Sequence, residues 1–327
     1  MSTARRGICL RHNLNRLLHG PALVRHHTGR SLQTLAYEEI KSLPEKPYEF
    51  TAFVLHGLLG SGRNWRSFSR SLASYLSPAP WRIVLVDLRN HGKSAEIGLP
   101  PPHNLENAAK DLANLVKAEG WDWPDVVMGH SMGGKVVLQF VQSCVNGDYG
   151  DNVSLPKQQL WVLDSVPGKL IPRNDEGEVE KVLQILQSLP PEIPSRKWLV
   201  DHMLKLGFSK SLSQWIGSNL KKSGEHETWA FNLDGAVQMF KSYSEMDYWP
   251  LLENPPNGTE IGIVRAENSD RWDSDIIEQL EHVAARRDHA TKGKVSVHVL
   301  PNAGHWVHVD NPKGLLDIVA PKVASLV

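Results

Sequence analysis

From about residue 48 onward, short and almost uninterrupted apolar runs alternate with longer stretches in which apolar residues return every three or four positions. A continuous run of aliphatic and β-branched residues suits a strand buried on both faces, whereas a 3.6-residue period suits a helix with one apolar stripe. The runs predict strands at 50–55, 81–87, 125–128, 160–164, 261–265 and 295–300. The periodic stretches predict helices at 65–75, 105–118, 132–145, 276–285 and 314–326, and residues 35–40 read as an earlier edge strand. Because parallel neighbours need a crossover helix between them, this alternation predicts an α/β chain with a mostly parallel sheet covered on both faces.

The alternation breaks once. Between 164 and 261 no convincing strand is visible, but helical periods recur at 179–189, 197–206, 212–220 and 236–243, punctuated by Pro190, Pro191 and Pro194. An inserted helical cap is expected at 169–257, between core segments 48–168 and 258–327. Of its large side chains Trp215, Trp229, Phe231, Met239, Phe240 and Trp249, most belong to ordinary core and some should line an apolar substrate pocket.

Composition adds two points. The 327 residues, 41% of them hydrophobic, suffice for one large domain with an insertion, and no apolar run approaches the length of a transmembrane segment. Charge is uneven along the chain: residues 1–37 hold six arginines, no lysine and no acidic residue. An Arg-rich, acid-free segment resembles an organellar transit peptide, and its low serine content (Ser2, Ser31) favours mitochondrion over plastid, with a cytoplasmic location as the other alternative. Beyond it, 30 basic residues face 36 acidic ones, a net charge near −6 that disfavours a nucleic-acid partner. With Cys9 in that leader only Cys144 remains, so no internal disulfide is expected and Cys144 reads as a core thiol.

The strongest chemical signal is Asp125-Val-Val-Met-Gly-His-Ser-Met-Gly-Gly134. Its Gly129-x-Ser131-x-Gly133 core follows a strand and precedes a helix, the setting in which such a pattern forms a nucleophile elbow. Small residues are needed at 129 and 133 because a Cβ would clash in so sharp a turn, and the helix N-terminus behind Ser131 favours developing negative charge. Two backbone N–H donors must await the oxyanion. Met132 and, from Val54-Leu-His-Gly-Leu-Leu-Gly60, Leu58 are the expected pair, with His56 shaping that loop. A general base belongs on a loop after the last strand. Pro301-Asn-Ala-Gly-His-Trp-Val-His308 offers His305, with Gly304 giving the loop freedom and His308 as a supporting or surface histidine.

Together with Asp87-Leu-Arg-Asn-His-Gly-Lys-Ser94, these motifs occur in the order seen in the α/β-hydrolase fold. Over roughly 48–327 the chain resembles that superfamily, and within it subgroup eleven of the α/β-hydrolase domain-containing proteins, often mitochondrial in eukaryotes, and related bacterial short-acyl esterases. The resemblance implies a serine hydrolase that cleaves a carboxylic ester or thioester of a small apolar acyl substrate through an acyl-enzyme, with no cofactor and no metal. It also implies that Asp87 to Ser94 is a structural loop. Carbon–carbon bond hydrolysis, acyl transfer to an alcohol, or a low-turnover ligand receptor or protein-binding module could use the same constellation, and fold does not choose among them.

The acid is ambiguous. In the family's usual pattern it stands four residues into Ala266-Glu-Asn-Ser269, where this chain has serine, and Asp270 lies one residue late. Asp164, at the end of the strand beside the nucleophile strand, is where the resembling subgroup has its acid; it is the favoured choice, with Asp270 as the alternative.

Overall fold

The computed structural model describes residues 34–77, 79–150, 159–170, 177–286 and 293–327. Seven strands form one sheet: β1 (Tyr37–Lys41), β2 (Phe50–Leu55), β3 (Trp81–Val86), β4 (Val126–His130), β5 (Gln159–Leu163), then β8 (Glu260–Ala266) and β9 (Lys294–Leu300). The spatial order is β1-β3-β2-β4-β5-β8-β9, and only β1 runs antiparallel to its neighbour. The central strands are apolar without alternation because both faces are covered. Phe53, Val84, Val127 and Val162 enter one core with α2 (Leu105–Glu119) and α3 (Met132–Val145). Their chain neighbours Val54, Ile83, Met128 and Trp161 enter a second core with α1 (Arg66–Leu76) and α11 (Pro312–Ala324). The remaining sheet-domain helices are α9 (Ser274–Ala285) and the one-turn α10 (Val307–Asp310).

Observed bounds lie within two residues of the expected ones for all of these strands and for the five expected crossover and terminal helices. Two boundaries differ in substance. β1 pairs with β3 from Tyr37↔Val86 to Lys41↔Arg82, and Leu35 is buried, so the sheet begins well before residue 48. The stretch just before it is tied down as well, Ala36 N–H donating to Ser94 Oγ at 2.8 Å and Asp87 N–H to Ala36 O at 2.9 Å. A leader ending at 37 would take with it the buried Leu35, the tied-down Ala36 and the first residue of β1; the basic segment itself, 1–33, lies outside the described residues.

Between β5 and β8 come α4 (Glu178–Ser188), α5 (Arg196–Lys205), α6 (Lys210–Ser218), α7 (Leu233–Glu245) and the short α8 (Trp249–Glu253). They enclose their own apolar cluster, with Leu186, Ile193, Leu199, Met203, Ile216 and Ala236 buried. The expectation of no strand here is overturned by an antiparallel hairpin, β6 (Leu220–Ser223) and β7 (His226–Trp229), turning at Gly224 with φ +62°. Its Lys-Lys-Ser-Gly-Glu-His-Glu stretch faces solvent and shows no apolar alternation, so the hairpin left no periodic signal. A reciprocal backbone pair between Ile193 and Glu227, at 2.8 and 2.9 Å, stitches it to the rest of the insertion.

One buried cation fastens this insertion to the sheet domain. Lys135 on α3 is fully buried, and its Nζ donates to the carbonyls of Gly168, Tyr243 and Met246 at 2.7, 2.6 and 2.9 Å. Three donors meet three acceptors, which makes burial of the ammonium tolerable, although desolvation still pulls its pKa down to about 7. Among the described residues no helix is long and apolar enough to cross a membrane.

Candidate active site

β4 ends at His130 and α3 begins at Met132, so the chain reverses on Ser131 alone, which takes φ +52° and ψ −120°. Such a backbone is strained for any residue but glycine, and its neighbours are glycines for steric reasons. A Cβ on Gly129 would run into the Gly133 carbonyl, and a Cβ on Gly133 would lie 2.6 Å from the His56 carbonyl oxygen. Ser131 N–H donates to Leu163 O at 3.0 Å, which ties the turn to the end of β5.

The loop after β2 is held by two buried histidines. His56 Nδ1–H donates to Gly57 O at 2.7 Å while its Nε2 accepts from Leu88 N–H at 3.0 Å. His91 mirrors it, donating to Arg89 O at 2.7 Å and accepting from Leu59 N–H at 3.0 Å. Burial lowers their pKa values to about 4 and about 3, so both act as neutral braces. The stretch from Asp87 to Ser94 belongs to the same scaffold, since the Asp87 carboxylate accepts from Gly62 and Lys93 N–H groups at 2.8 and 2.9 Å. Leu58 lines the cleft above Ser131 and Met132 opens α3 directly behind it. Among the described residues neither of these two N–H groups has a hydrogen-bond acceptor.

His305, on the loop after β9, meets Asp164, which stands just past β5 with φ +46°. His305 Nδ1 lies 2.7 Å from Asp164 Oδ2. Asp164 is fully buried and every approach to it is filled: Ser269 Oγ–H donates to Oδ2 at 2.7 Å, and Trp272 Nε1–H and Ala266 N–H donate to Oδ1 at 2.7 and 2.9 Å. Burial alone would raise its pKa, but the hydrogen bond and charge of His305, with the two N–H donors, hold it below the ordinary carboxylate value. The serine in the family's usual acid position thus becomes a donor to the carboxylate on the next strand. Asp270 is exposed at the cleft rim.

Two more histidines complete the surroundings. His130 is buried and its Nε2–H donates to the His305 carbonyl at 2.8 Å, fixing the backbone of that loop. His308 stacks on Trp65, ring centroids 4.2 Å apart, and burial lowers its pKa to about 4. Its ring also meets that of His130 edge-on, centroids 5.7 Å apart. Ser269, Trp272 and His130 were not singled out from sequence as parts of the site; only Ser269, sitting where a carboxylate was expected, carried a visible signal.

Ser131 and His305 open onto one cleft. Leu58 and Leu59 from the β2 loop, Val179 and Val182 from α4, Leu212 and Trp215 from α6, and Trp306 give it apolar walls. Trp215 packs against Trp306 with ring centroids 4.4 Å apart and planes tilted by 41°. Of the six large side chains expected to divide between core and pocket, only Trp215 lines this cleft; Phe231 and Met239 are buried and Trp249 packs on Gly168. Cys144 is half-buried on α3, its thiol pKa pushed up to about 12 by burial.

Known proteins similar to this chain in sequence include lipases and esterases, and also a probable alcohol acetyltransferase of Saccharomyces cerevisiae. It is 26% identical over 273 residues to the sn-1-specific diacylglycerol lipase ABHD11 of Mus musculus, covering 83% of this chain and 80% of that one. Protein phosphatase methylesterase 1 of Rattus norvegicus is 34% identical over 332 aligned positions, 91% of this chain and 80% of that protein. Among solved structures, a marine microorganism esterase superposes with a TM-score of 0.67 at 22% identity, covering 90% of this chain and 99% of its own. A family model described as the alpha/beta hydrolase family matches residues 52–318. That span holds the whole sheet from β3 to β9, the turn at Ser131 and the His305 loop: the chain belongs to the α/β-hydrolase family and is a hydrolase of that type.

Proposed function

We propose that the chain is a serine hydrolase of carboxylic esters or thioesters with a small apolar acyl part, in which Ser131 is the nucleophile, His305 its general base and Asp164 the acid. One observation carries the reading. A histidine bonded to a fully buried carboxylate opens onto the same apolar cleft as a serine held on a strained strand-to-helix turn. His305 Nε2 takes the Ser131 proton as Oγ attacks the acyl carbonyl, and Asp164 keeps Nδ1 protonated and stabilises the imidazolium. Leu58 and Met132 N–H groups receive the oxyanion, aided by the N-terminus of α3. His305 then protonates the leaving group and activates water, which releases the acid from the acyl-enzyme.

A mitochondrial location goes with this reading, with the basic segment as a leader that ends before Leu35, which is buried in the core of the sheet domain. The hydrolytic assignment is tested with a fluorophosphonate probe. Ser131 alone should be labelled, and Ser131→Ala should abolish labelling and reduce ester turnover by roughly 10⁶. Undiminished turnover by that variant would end the assignment.

A further inference from the structure

The cleft carries one cation that the proposed chemistry leaves unused. Arg271, on the loop between β8 and α9, lines it beside Ser131 and His305 and is half-buried. His130 and His305, the other basic side chains in its walls, are kept neutral by their surroundings. The two wall carboxylates, Glu178 and Asp270, are exposed and therefore solvated at the rim. Among the described residues no carboxylate forms an ion pair with Arg271. Its guanidinium has five donors, and the hydrogen bond it makes among these residues runs from Nε to His305 Nδ1 at 2.9 Å.

That bond competes with the one to Asp164. In its plane an imidazole nitrogen has one site: protonated, it donates to Asp164 Oδ2 at 2.7 Å; bare, it accepts from Arg271 Nε–H. The second state puts the proton on Nε2 and leaves no base facing Ser131. Asp164 cannot yield, being fixed by Ala266, Ser269 and Trp272. Arg271, on the loop between β8 and α9 and lining the cleft, is the group that can turn away. A guanidinium exchanges one such contact for a bidentate pair when an anionic oxygen group is offered.

Resting on the serine-hydrolase reading, we propose that Arg271 is the specificity determinant of this cleft. It receives an anionic oxygen group of the ester substrate, a carboxylate or a phosphate, and in turning toward it leaves His305 Nδ1 to Asp164. The substrate class is then an ester with an apolar body, for the walls of Leu59, Val182, Leu212 and Trp306, and one anionic end. Neutral esters bind the same walls but leave Arg271 against the base.

The test compares shape-matched pairs on the full chain: monomethyl glutarate against methyl pentanoate, and 1-butyrylglycerol 3-phosphate against 1-butyrylglycerol. At least one charged ester should exceed its neutral partner in kcat/KM by roughly ten- to a hundredfold, the ratio for charge-assisted hydrogen bonds. Which pair responds distinguishes carboxylate from phosphate. The gain should appear in kcat as well as KM, because the anion also frees the base; a bare electrostatic anchor would change KM alone. Arg271→Met should erase the preference, and Arg271→Lys should keep part of it. Slowing of fluorophosphonate labelling of Ser131 by the same four esters gives a second measurement that needs no turnover. Equal behaviour of charged and neutral esters in the unaltered protein, or a preference that survives in Arg271→Met, overturns the proposal. Absence of any Ser131 labelling would instead remove the serine-hydrolase reading beneath it.

Discussion

The two halves of the candidate site are built by different means. On the Ser131 side the geometry is made by backbone: β4, one strained residue and α3 follow each other without a break, and Gly129 and Gly133 permit contacts that no side chain could. On the His305 side it is made by four side chains from three separated places, Asp164, the loop holding Ser269 and Trp272, and His130, each contributing a hydrogen bond across 100 or more residues of chain. A backbone-built half is set by local sterics and tolerates little change in shape. A side-chain-built half depends on donors and acceptors and should tolerate changes of shape that keep them.

The largest effect expected from this contrast lies on the side-chain half. Asp164→Asn keeps the shape but offers a donor where His305 Nδ1–H needs an acceptor, so the wrong tautomer is favoured; turnover should fall by about 10⁴, as for the corresponding exchange in a serine protease. Asp270→Asn, at an exposed rim position, should change it less than about tenfold, since exposed charges interact weakly. Assaying the two variants side by side decides between them. Near-normal turnover in Asp164→Asn with collapse in Asp270→Asn would mean that the bonded pair seen here is not the working one.

The same contrast explains what sequence could and could not convey. The turn at Ser131 was legible because its requirements are local, a strand, two small residues and a helix within about ten positions. The sheet was legible because strands covered on both faces become unbroken apolar runs. His305 was legible from its place after the last strand. The acid stayed open between Asp164 and Asp270, because which of them reaches the imidazole depends on how two loops 100 residues apart lie against each other. Ser269, Trp272 and His130 act through single long-range hydrogen bonds, which leave no periodic trace. The β6–β7 hairpin escaped for a related reason, its pairing being stabilised through Ile193 and its own charged face carrying no pattern.

Intermediate effects should separate the glycines of the two halves. In Gly133→Ala the new Cβ would press on the backbone oxygens of His56 and Leu55, 2.6 and 2.9 Å away, and neither β2 nor α3 can yield cheaply. Overpacking of this kind costs about 1–3 kcal/mol, and a shift of the turn by a fraction of an ångström should lower turnover by up to about 10². Gly304, beside His305, was expected to supply loop freedom, but its backbone is not left-handed, and an added Cβ would meet only the Asp310 carboxylate oxygen at 3.2 Å. Gly304→Ala should therefore stay within about 0.5 kcal/mol of the parent in thermal unfolding and keep its turnover. A Gly304→Ala as damaging as Gly133→Ala would erase the distinction between the halves.

The smallest effect concerns the pH at which the side-chain half stops working. Burial lowers the pKa of His305 from the ordinary histidine value of 6.5, the Arg271 charge lowers it further, and the hydrogen bond and charge of Asp164 with the charge of Asp270 push the other way without prevailing. The attraction within the pair therefore shows on Asp164, whose pKa falls, while on the imidazole burial and Arg271 outweigh it. A base with a lowered pKa stays unprotonated further into acid, so kcat/KM for a neutral ester should hold through neutral pH and fall only below 6.5. Arg271→Met removes a cation that lowers the pKa, and its acid limb should move to higher pH. Asp270→Asn removes an anion that raises it, and its limb should move to lower pH, by less because that carboxylate is exposed. Added salt should shrink the Asp270 displacement more than the Arg271 one, since the guanidinium is half-buried against the ring. Limbs moving together in the two variants would show that the charge around His305 is not arranged as the bonded groups indicate.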